Sequence, residues 1–509
     1  MNTQVVDGGP VYTLDEALSG VGFGRFQSLV LAYAGLGAMA EAMEVMILSF
    51  IGPFVKAEWG LSSGQESFTT TMVFAGMLIG AYFWGILSDN YGRRQLLQRF
   101  LSIRTVTDAR ILFSWSSIRV GLLSVAVVTS IFAFLSALSP NYILLILFRM
   151  VVGIGLGGGP VYSTWFLEFV PVQNRGIWMV IFSTFWTIGT ILEASLAWIV
   201  IPRLGWRWLL AVSSAPCFAA LVLYFFTIET PRYLYMHGKI GDAHDVLKKM
   251  ATINKTELPS GELVSVKMSN LNEDFTPSEG TLLLHNREQQ TKSGCSSIFT
   301  LFSPSLVKTT LLLWVVYFGN SFSYYGVVLM TSELSSGESK CHTSSHPNLM
   351  TDSSLYINVF ITSLAELPGL VLSAILVDKI GRKMSMVVMY SCGFVCLLPL
   401  MFQLQQAVVI SLLFGARMFI IGNYTVAGIY CPELYPTSVR TTGAGVANAV
   451  GRIAGMICPL VAVELVSGCH QMAAITLFEI AILLSGISVL FFPIETKGRK
   501  LSDSVTQNI

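Results

Sequence analysis

Apolar residues in this chain come in long unbroken blocks, not at the three-and-four spacing of a helix with one wet face. The blocks fall at about 27–54, 68–88, 120–138, 141–165, 177–201 and 205–228. After a polar stretch at 229–306 they resume at about 307–331, 354–377, 384–402, 407–430, 443–466 and 471–493. Each is long enough to cross roughly 30 Å of hydrocarbon as a helix. A segment alone in lipid must satisfy its own backbone, so each block is predicted to be a helix. The pattern therefore predicts an all-α membrane protein with twelve transmembrane helices, six in a 27–228 bundle and six in a 307–493 bundle. Thr13-Leu-Asp-Glu16 reads as a capping box that opens a short helix ahead of the first span. Within 229–306 a helix is predicted near 239–251, followed by a linker rich in Glu, Ser, Asn and Thr.

Composition narrows the class. The chain is 53% hydrophobic and 12% charged, far from the charge content of a soluble domain. Its net charge of +1 offers no field for nucleic acid. No cleavable leader is expected, because residues 1–22 are mixed and the first apolar block is too long for a signal core. What charge there is lies to one side. Of 31 Lys and Arg, only Lys56, Arg203, Arg207 and Lys340 fall in loops on one face, and Arg149, Arg417 and Arg452 fall within spans. The positive-inside rule then places residues 1–26, 229–306 and 494–509 in the cytoplasm, with the plasma membrane as the expected site. On that face the Asn254-Lys-Thr256 acceptor would stay unglycosylated. Cys217, Cys392, Cys396 and Cys458 lie in apolar blocks and read as free thiols. Cys341 and Cys469 are the pair for which a disulfide is conceivable. No metal-ligand spacing occurs, and no cofactor is expected.

The two halves share a charged grammar. Gly85-x-x-x-Asp89-x-x-Gly92-Arg93-Arg94 is echoed by Asp378-Lys-Ile-Gly381-Arg382-Lys383. Arg149…Glu168-x-x-Pro171-x-x-x-Arg175 is echoed by Arg417…Glu433-x-x-Pro436-x-x-x-Arg440, and Glu229-Thr-Pro-Arg232 by Glu495-Thr-Lys-Gly-Arg499. The first echo is 289 positions apart and the others 265 to 268, so the register slips between 94 and 149. The basic segment 95–119 is read as an insertion, either a spliced extra or an amphipathic helix on the inner leaflet. A duplicated bundle with matching inside charges is the build of an alternating-access transporter. In the loop motif Gly85 allows close helix approach. Asp89, Arg93 and Arg94 are placed to meet acids such as Glu168. With Arg175, Arg232, Asp378, Arg382, Glu433 and Arg440 they would latch the two bundles together on the inside. Exposed pairs are each worth under about 1 kcal/mol, so such a latch must be a partly buried network.

These motifs resemble the loop signature of the major facilitator superfamily. Glu229-Thr-Pro-Arg-Tyr-Leu234 and Pro493-Ile-Glu-Thr-Lys-Gly-Arg499 resemble its sugar-porter and organic-ion branch. Gly22-Phe-Gly-Arg-Phe26, Glu41-Ala-Met-Glu44, Gly155-Leu-Gly-Gly-Gly-Pro160, Glu193-Ala-Ser-Leu-Ala-Trp198 and Tyr324-Tyr-Gly-Val-Val328 are similar to plant organic cation/carnitine transporters of the nicotinate-transporter type. Synaptic-vesicle-2-related proteins are more distantly similar. The likeness runs from about 12 to 500, apart from 95–119 and the linker; Ala374 departs from it where the second loop motif would carry glycine. It implies a small organic ion as cargo, nicotinate or its N-methyl betaine first among candidates and a carnitine-like or sugar-like solute as alternatives.

Charges inside the spans mark where the mechanism lies, since each costs at least ~2.5–3.5 kcal/mol at mid-bilayer. Glu41 and Glu44 sit at i and i+3 on span one; Glu193, Glu366, Arg149, Arg417 and Arg452 lie in spans five, eight, four, ten and eleven. Two carboxyls on one helix face do not both ionise readily, which makes Glu41 or Glu44 a candidate proton carrier. Arg149 or Arg452 would hold a carboxylate and Tyr324 or Tyr325 a flat ring. For Glu193 and Arg417 a structural pair is an equal reading. The glycines at 153–159 follow no strand, so helix packing or a hinge in span four is favoured over phosphate binding. Pro216 and Pro368 are expected bend points. No nucleophile–base set stands out, which sets an enzyme aside. The rivals to a transporter are a membrane sensor, or a variant inactivated by 95–119. Accessible tags at both ends of the chain are expected to label from the cytoplasmic side, and a tag in the loop after span seven from the opposite side. An odd number of crossings would overturn this topology.

Overall fold

The computed structural model describes residues 5–6, 9–90, 117–171, 175–236, 238–263, 300–335, 353–402, 404–435, 439–466, 468 and 470–497. At 5–6, 9–11, 85–90, 117–120, 236, 353 and 441 only the backbone is described. The surroundings of Gly85, the side chain of Asp89, and Gly92, Arg93 and Arg94 entirely, therefore lie outside what is described. So do most of the 95–119 segment, the linker after 263, Cys341, Cys469 and the tail after 497.

Among the described residues eleven helices are long and apolar enough to cross a membrane. In the first half they are Arg25–Trp59, Ser63–Trp84, Tyr142–Leu167, Arg175–Leu204 and Trp206–Phe226. In the second they are Val307–Ser335, Ser354–Ile380, Arg382–Met401, Gln406–Leu434, Thr442–Leu465 and Gln471–Leu490. Ser117–Ala137 is the third helix in order and completes twelve, six before and six after the linker, as the apolar blocks predicted. The first span outruns its predicted end at 54. Lys56 is therefore not in a loop but in the last turn of the helix, where it pairs with Glu66 at 3.0 Å, and both side chains are largely buried. That pairing is what lets a lysine stay at the edge of the apolar zone.

Helix breaks follow proline and glycine, which remove a backbone donor or loosen the turn. Span four breaks at Gly157–Gly158 with Pro160 opening its second segment, Gly159–Leu167. Span six breaks at Ser214 ahead of Pro216, and span eight at Ala365 ahead of Pro368, where bends were expected. Span eleven widens into a π turn at Leu460–Leu465 after Pro459, which was not anticipated. Spans two and four cross with their backbones in contact. A Cβ on Gly76 or Gly80 would strike the Met150 or Ile154 carbonyl, and one on Gly153 or Gly157 would strike Val73 or Met77. Glycine at four-residue spacing on both helices makes this crossing possible.

A small platform covers the terminal end of the first half. The Thr13 box caps Leu14–Val21 as predicted. The helix near 239–251 is found as Ile240–Asn254. Tyr12 bonds His244 at 2.9 Å, and burial pushes its phenol up. Residues Val11 and Tyr12 pair in parallel with Glu262 and Leu263. Asn254 accepts the Phe26 N–H at 2.9 Å and donates to Gln27 at 2.7 Å, so it caps the first span. The asparagine of the glycosylation motif is thus consumed as a cap. Gly153→Val should push spans two and four apart and cost at least about 2 kcal/mol, read as a lowered thermal midpoint in detergent.

Candidate functional site

The intramembrane charges sort into three groups. In the first half Arg149 donates to Glu44 at 2.8 Å and to Ser136 at 2.9 Å, with both partners of the ion pair sealed from solvent. Beside them Glu193 is fully buried, and both its oxygens meet the single Ser213 hydroxyl, at 2.7 and 2.9 Å. In the second half Arg417 bonds one oxygen of Glu366 through Nε at 3.0 Å and Nη2 at 2.7 Å, and Tyr324 donates to the same oxygen at 2.7 Å. A pair this deep is stable only because its members satisfy one another.

The third group joins the halves. Arg452 donates to Glu41 at 3.2 Å, and its other amino group lies against Tyr325 (3.5 Å) and Met77 Sδ (3.2 Å). Its side chain is 18% exposed and that of Glu41 12%, whereas the other two mid-span pairs are at 1% or below. Glu41 and Glu44, neighbours on one helix, are thus sent to different partners: one across the halves, the other into the first half. Arg149 is enclosed, so of the two arginines considered for a solute carboxylate only Arg452 is open.

Further contacts between the halves gather at the same level or towards the end remote from the termini. Trp186 donates to Tyr324 at 3.1 Å, Thr190 to Glu366 at 3.4 Å, and Thr71 to the Met456 carbonyl at 3.0 Å. Phe74 packs on Tyr325 with ring centres 4.5 Å apart, Phe50 on Tyr356 at 6.3 Å, and Trp198 on Phe360 at 6.4 Å. Towards the terminal end Gly428 and Gly445 face open space, and Asn448 is exposed. Among the described residues no hydrogen bond, ion pair or ring contact joins the halves there. Among the described residues the bonds and ring contacts between the halves thus lie at mid-span or towards the far side, with the Glu41–Arg452 pair and the tyrosines at their inner limit. A small gap beside Glu41 is lined by Thr129, Gly159, Tyr162 and Cys217. A second lies between Glu66, Thr69 and Arg149.

The repeated loop charges form clamps within a half. Arg382 grips Glu433 with two bonds of 3.1 Å, and Thr496 also donates to Glu433. Glu495 accepts the Arg382 and Lys383 N–H groups at 2.9 Å, closing over Gly381, whose φ of +84° suits glycine. Arg175 and Arg440 each reach back five residues to a carbonyl, Val170 and Tyr435, so the duplication extends to the bonds. Arg232 binds Asp15. Burial pushes the Glu168 carboxyl above its usual range, against the Thr230 hydroxyl and Arg232. Asp378 is exposed and bonds none of the described residues. Among the described residues these charges brace each half, while the Asp89 side chain, Arg93 and Arg94, on which the expected latch between bundles turns, lie outside them.

Three polar features went unread in the sequence. Ser213 is one serine among many in span six. Asn320, bonded by Tyr390 and Asn423 at 2.8 Å each, is uncharged and carries no hydropathy signal. Glu479 is a lone acid in span twelve, buried and with neither carboxyl oxygen bonded; its charge was the available signal.

Residues 108–506 match the family described as "Sugar (and other) transporter". The chain belongs to that family. It is 50% identical to the Arabidopsis thaliana "Organic cation/carnitine transporter 7" over 99% of this chain and 98% of that one. It is 34% identical to the Rattus norvegicus "Synaptic vesicle 2-related protein", with 97% and 83% covered. The fold matches the proton:xylose symporter XylE bound to 6-bromo-6-deoxy-D-glucose, with a TM-score of 0.66 at 18% identity over 96% of this chain and 99% of that one. An inward open form of XylE from E. coli gives 0.63 at 16% identity, covering 93% and 98%. The protein is a multi-pass membrane transporter of the major facilitator type, not an enzyme. Arg417→Ala, which strands Glu366, should cost about 3–5 kcal/mol in thermal unfolding, and an apolar replacement of both partners should recover most of it.

Proposed function

We propose that this transporter carries a small organic ion by alternating access, with nicotinate or N-methylnicotinate as the leading cargo and a proton as the coupled ion. The observation that carries this reading is the Glu41–Arg452 pair: it alone among the mid-span ion pairs spans both halves and remains partly open. A solute carboxylate competes with Glu41 for Arg452 and gains a charge-assisted bond. A flat ring beside it meets Tyr325 and Tyr324, which stand 5.2 Å apart, with Tyr424 next to Tyr324 at 6.4 Å. A pyridinium or a proton is accommodated by the Glu41 carboxylate so released. Filling the site replaces the bond that holds the halves together at this level, which links binding to rocking. The organic-ion wording of the 50% identical relative supports this cargo class.

Proton coupling is supported by the acids that face one another in the first half, and Glu44 is the group whose neutralisation would free Arg149. Labelled nicotinate uptake by a transport-deficient cell, with and without a proton gradient, tests the reading. Arg452→Ala is expected to lower uptake at least about tenfold, and Glu44→Gln to abolish gradient-driven accumulation while protein level is unchanged. Uptake no higher than the vector control would remove the cargo assignment, and unchanged accumulation in Glu44→Gln would remove its coupling role.

A further inference from the structure

Glu193 has no cation of its own. Arg149 is taken by Glu44 and Ser136, and among the described residues the only bond to Glu193 comes from the Ser213 hydroxyl. A carboxylate offers about four acceptor sites, and a serine hydroxyl supplies one hydrogen. A neutral carboxylic acid fits better. Its own O–H donates to Ser213 Oγ while the serine hydrogen returns to the other oxygen, which accounts for both short distances. An unpaired carboxylate at a fully buried position would carry a desolvation cost larger than one serine hydrogen bond and a guanidinium already engaged by Glu44 offset.

The surroundings are built for exchange. Glu44 leaves one oxygen unbonded and Arg149 leaves Nε unbonded, both buried. Glu44 and Arg149 are also the charged groups in electrostatic contact with Glu193. Around span five the remaining titratable groups are engaged elsewhere or do not bond it: Glu41 holds Arg452, Glu366 holds Arg417, and Tyr162, Tyr356 and Cys217 give Glu193 no hydrogen bond. The cluster of Glu44, Glu193 and Arg149 therefore has two acids, one guanidinium and room for one proton.

We propose that Glu193 and Glu44 share a single exchangeable proton, and that Arg149 follows the negative charge between them. In the conformation seen here the proton rests on Glu193. In the transfer the Glu193 O–H bond breaks and an O–H bond forms on Glu44, so Glu193 becomes the carboxylate and takes Arg149. Net charge does not change. A mostly apolar cleft that Glu66, Thr69 and Arg149 line lies on the side of the pair remote from the termini. The movement is felt where the halves meet, because Thr190, one turn from Glu193, donates across to Glu366, and Gly189 lies against the backbone of Met39. This inference rests on the proton-coupled reading above but names a different residue as the resting carrier.

Infrared spectroscopy of the purified full-length protein in lipid tests it without any substrate. Near neutral pH a neutral-carboxyl band is expected, and Glu193→Gln should remove one component of it. Ser213→Ala should keep that component and move it to higher wavenumber, because the carbonyl loses its hydrogen bond. Glu44→Gln should also remove it, because Arg149, deprived of its partner, draws Glu193 into the ionised form. A merely structural Glu193 would show no response to Glu44→Gln. In proteoliposomes Glu193→Gln should keep exchange of labelled nicotinate within about twofold and lose accumulation about tenfold or more. An unchanged band in Glu193→Gln, or a component that survives Glu44→Gln, overturns the proposal. If the wild type does not carry nicotinate, the cargo assignment fails while the infrared result still decides the proton's position.

Discussion

A charge buried in hydrocarbon must find its counter-charge within the protein, and this requirement organises the whole molecule. Each mid-span arginine is matched to one glutamate: Arg149 to Glu44, Arg417 to Glu366, Arg452 to Glu41. Two of these pairs lie inside a half and hold it rigid. The third crosses between halves and sits where solvent or solute reaches it. Rigid pairs and one contested pair give two bodies that move as units and a joint whose strength a ligand can change.

The duplication helps to explain why the bodies stay rigid. Arg175 and Arg440 make the same backward bond in the two halves, and in the second half Glu495, Arg382 and Glu433 tie the turn between spans eight and nine to span ten. Glycine packing adds to this on the first side, since backbones in contact leave little freedom to slide. Bending is left to the places where proline breaks the helix, as at Ala365 and Ser214.

Much of the fold was legible because lipid leaves few choices. Long apolar blocks could only be helices, and the Thr13 box, the helix after 239 and the breaks near Pro216 and Pro368 followed from local chemistry. Lys56 was misplaced because hydropathy does not see the partner that allows it to stay, Glu66 on the next helix. The candidate site was legible as a set of charges but not as a set of pairs. Spacing put Glu41 and Glu44 on one face, yet which arginine each meets depends on helix rotation and on contacts over a hundred residues away. The role of Ser213 is invisible for the same reason: it matters only because Glu193, twenty residues earlier, ends up beside it.

The platform of Leu14–Val21, Ile240–Asn254 and the short parallel pairing has a consequence for how the transporter can be held. Its buried apolar contacts are all with the first half and its own segments. It rides on that half as a keel, anchored by Asn254 at the very start of span one. Anything that gripped the keel would moor one side of the rocker and leave the other free to swing, and it would do so without approaching the pathway.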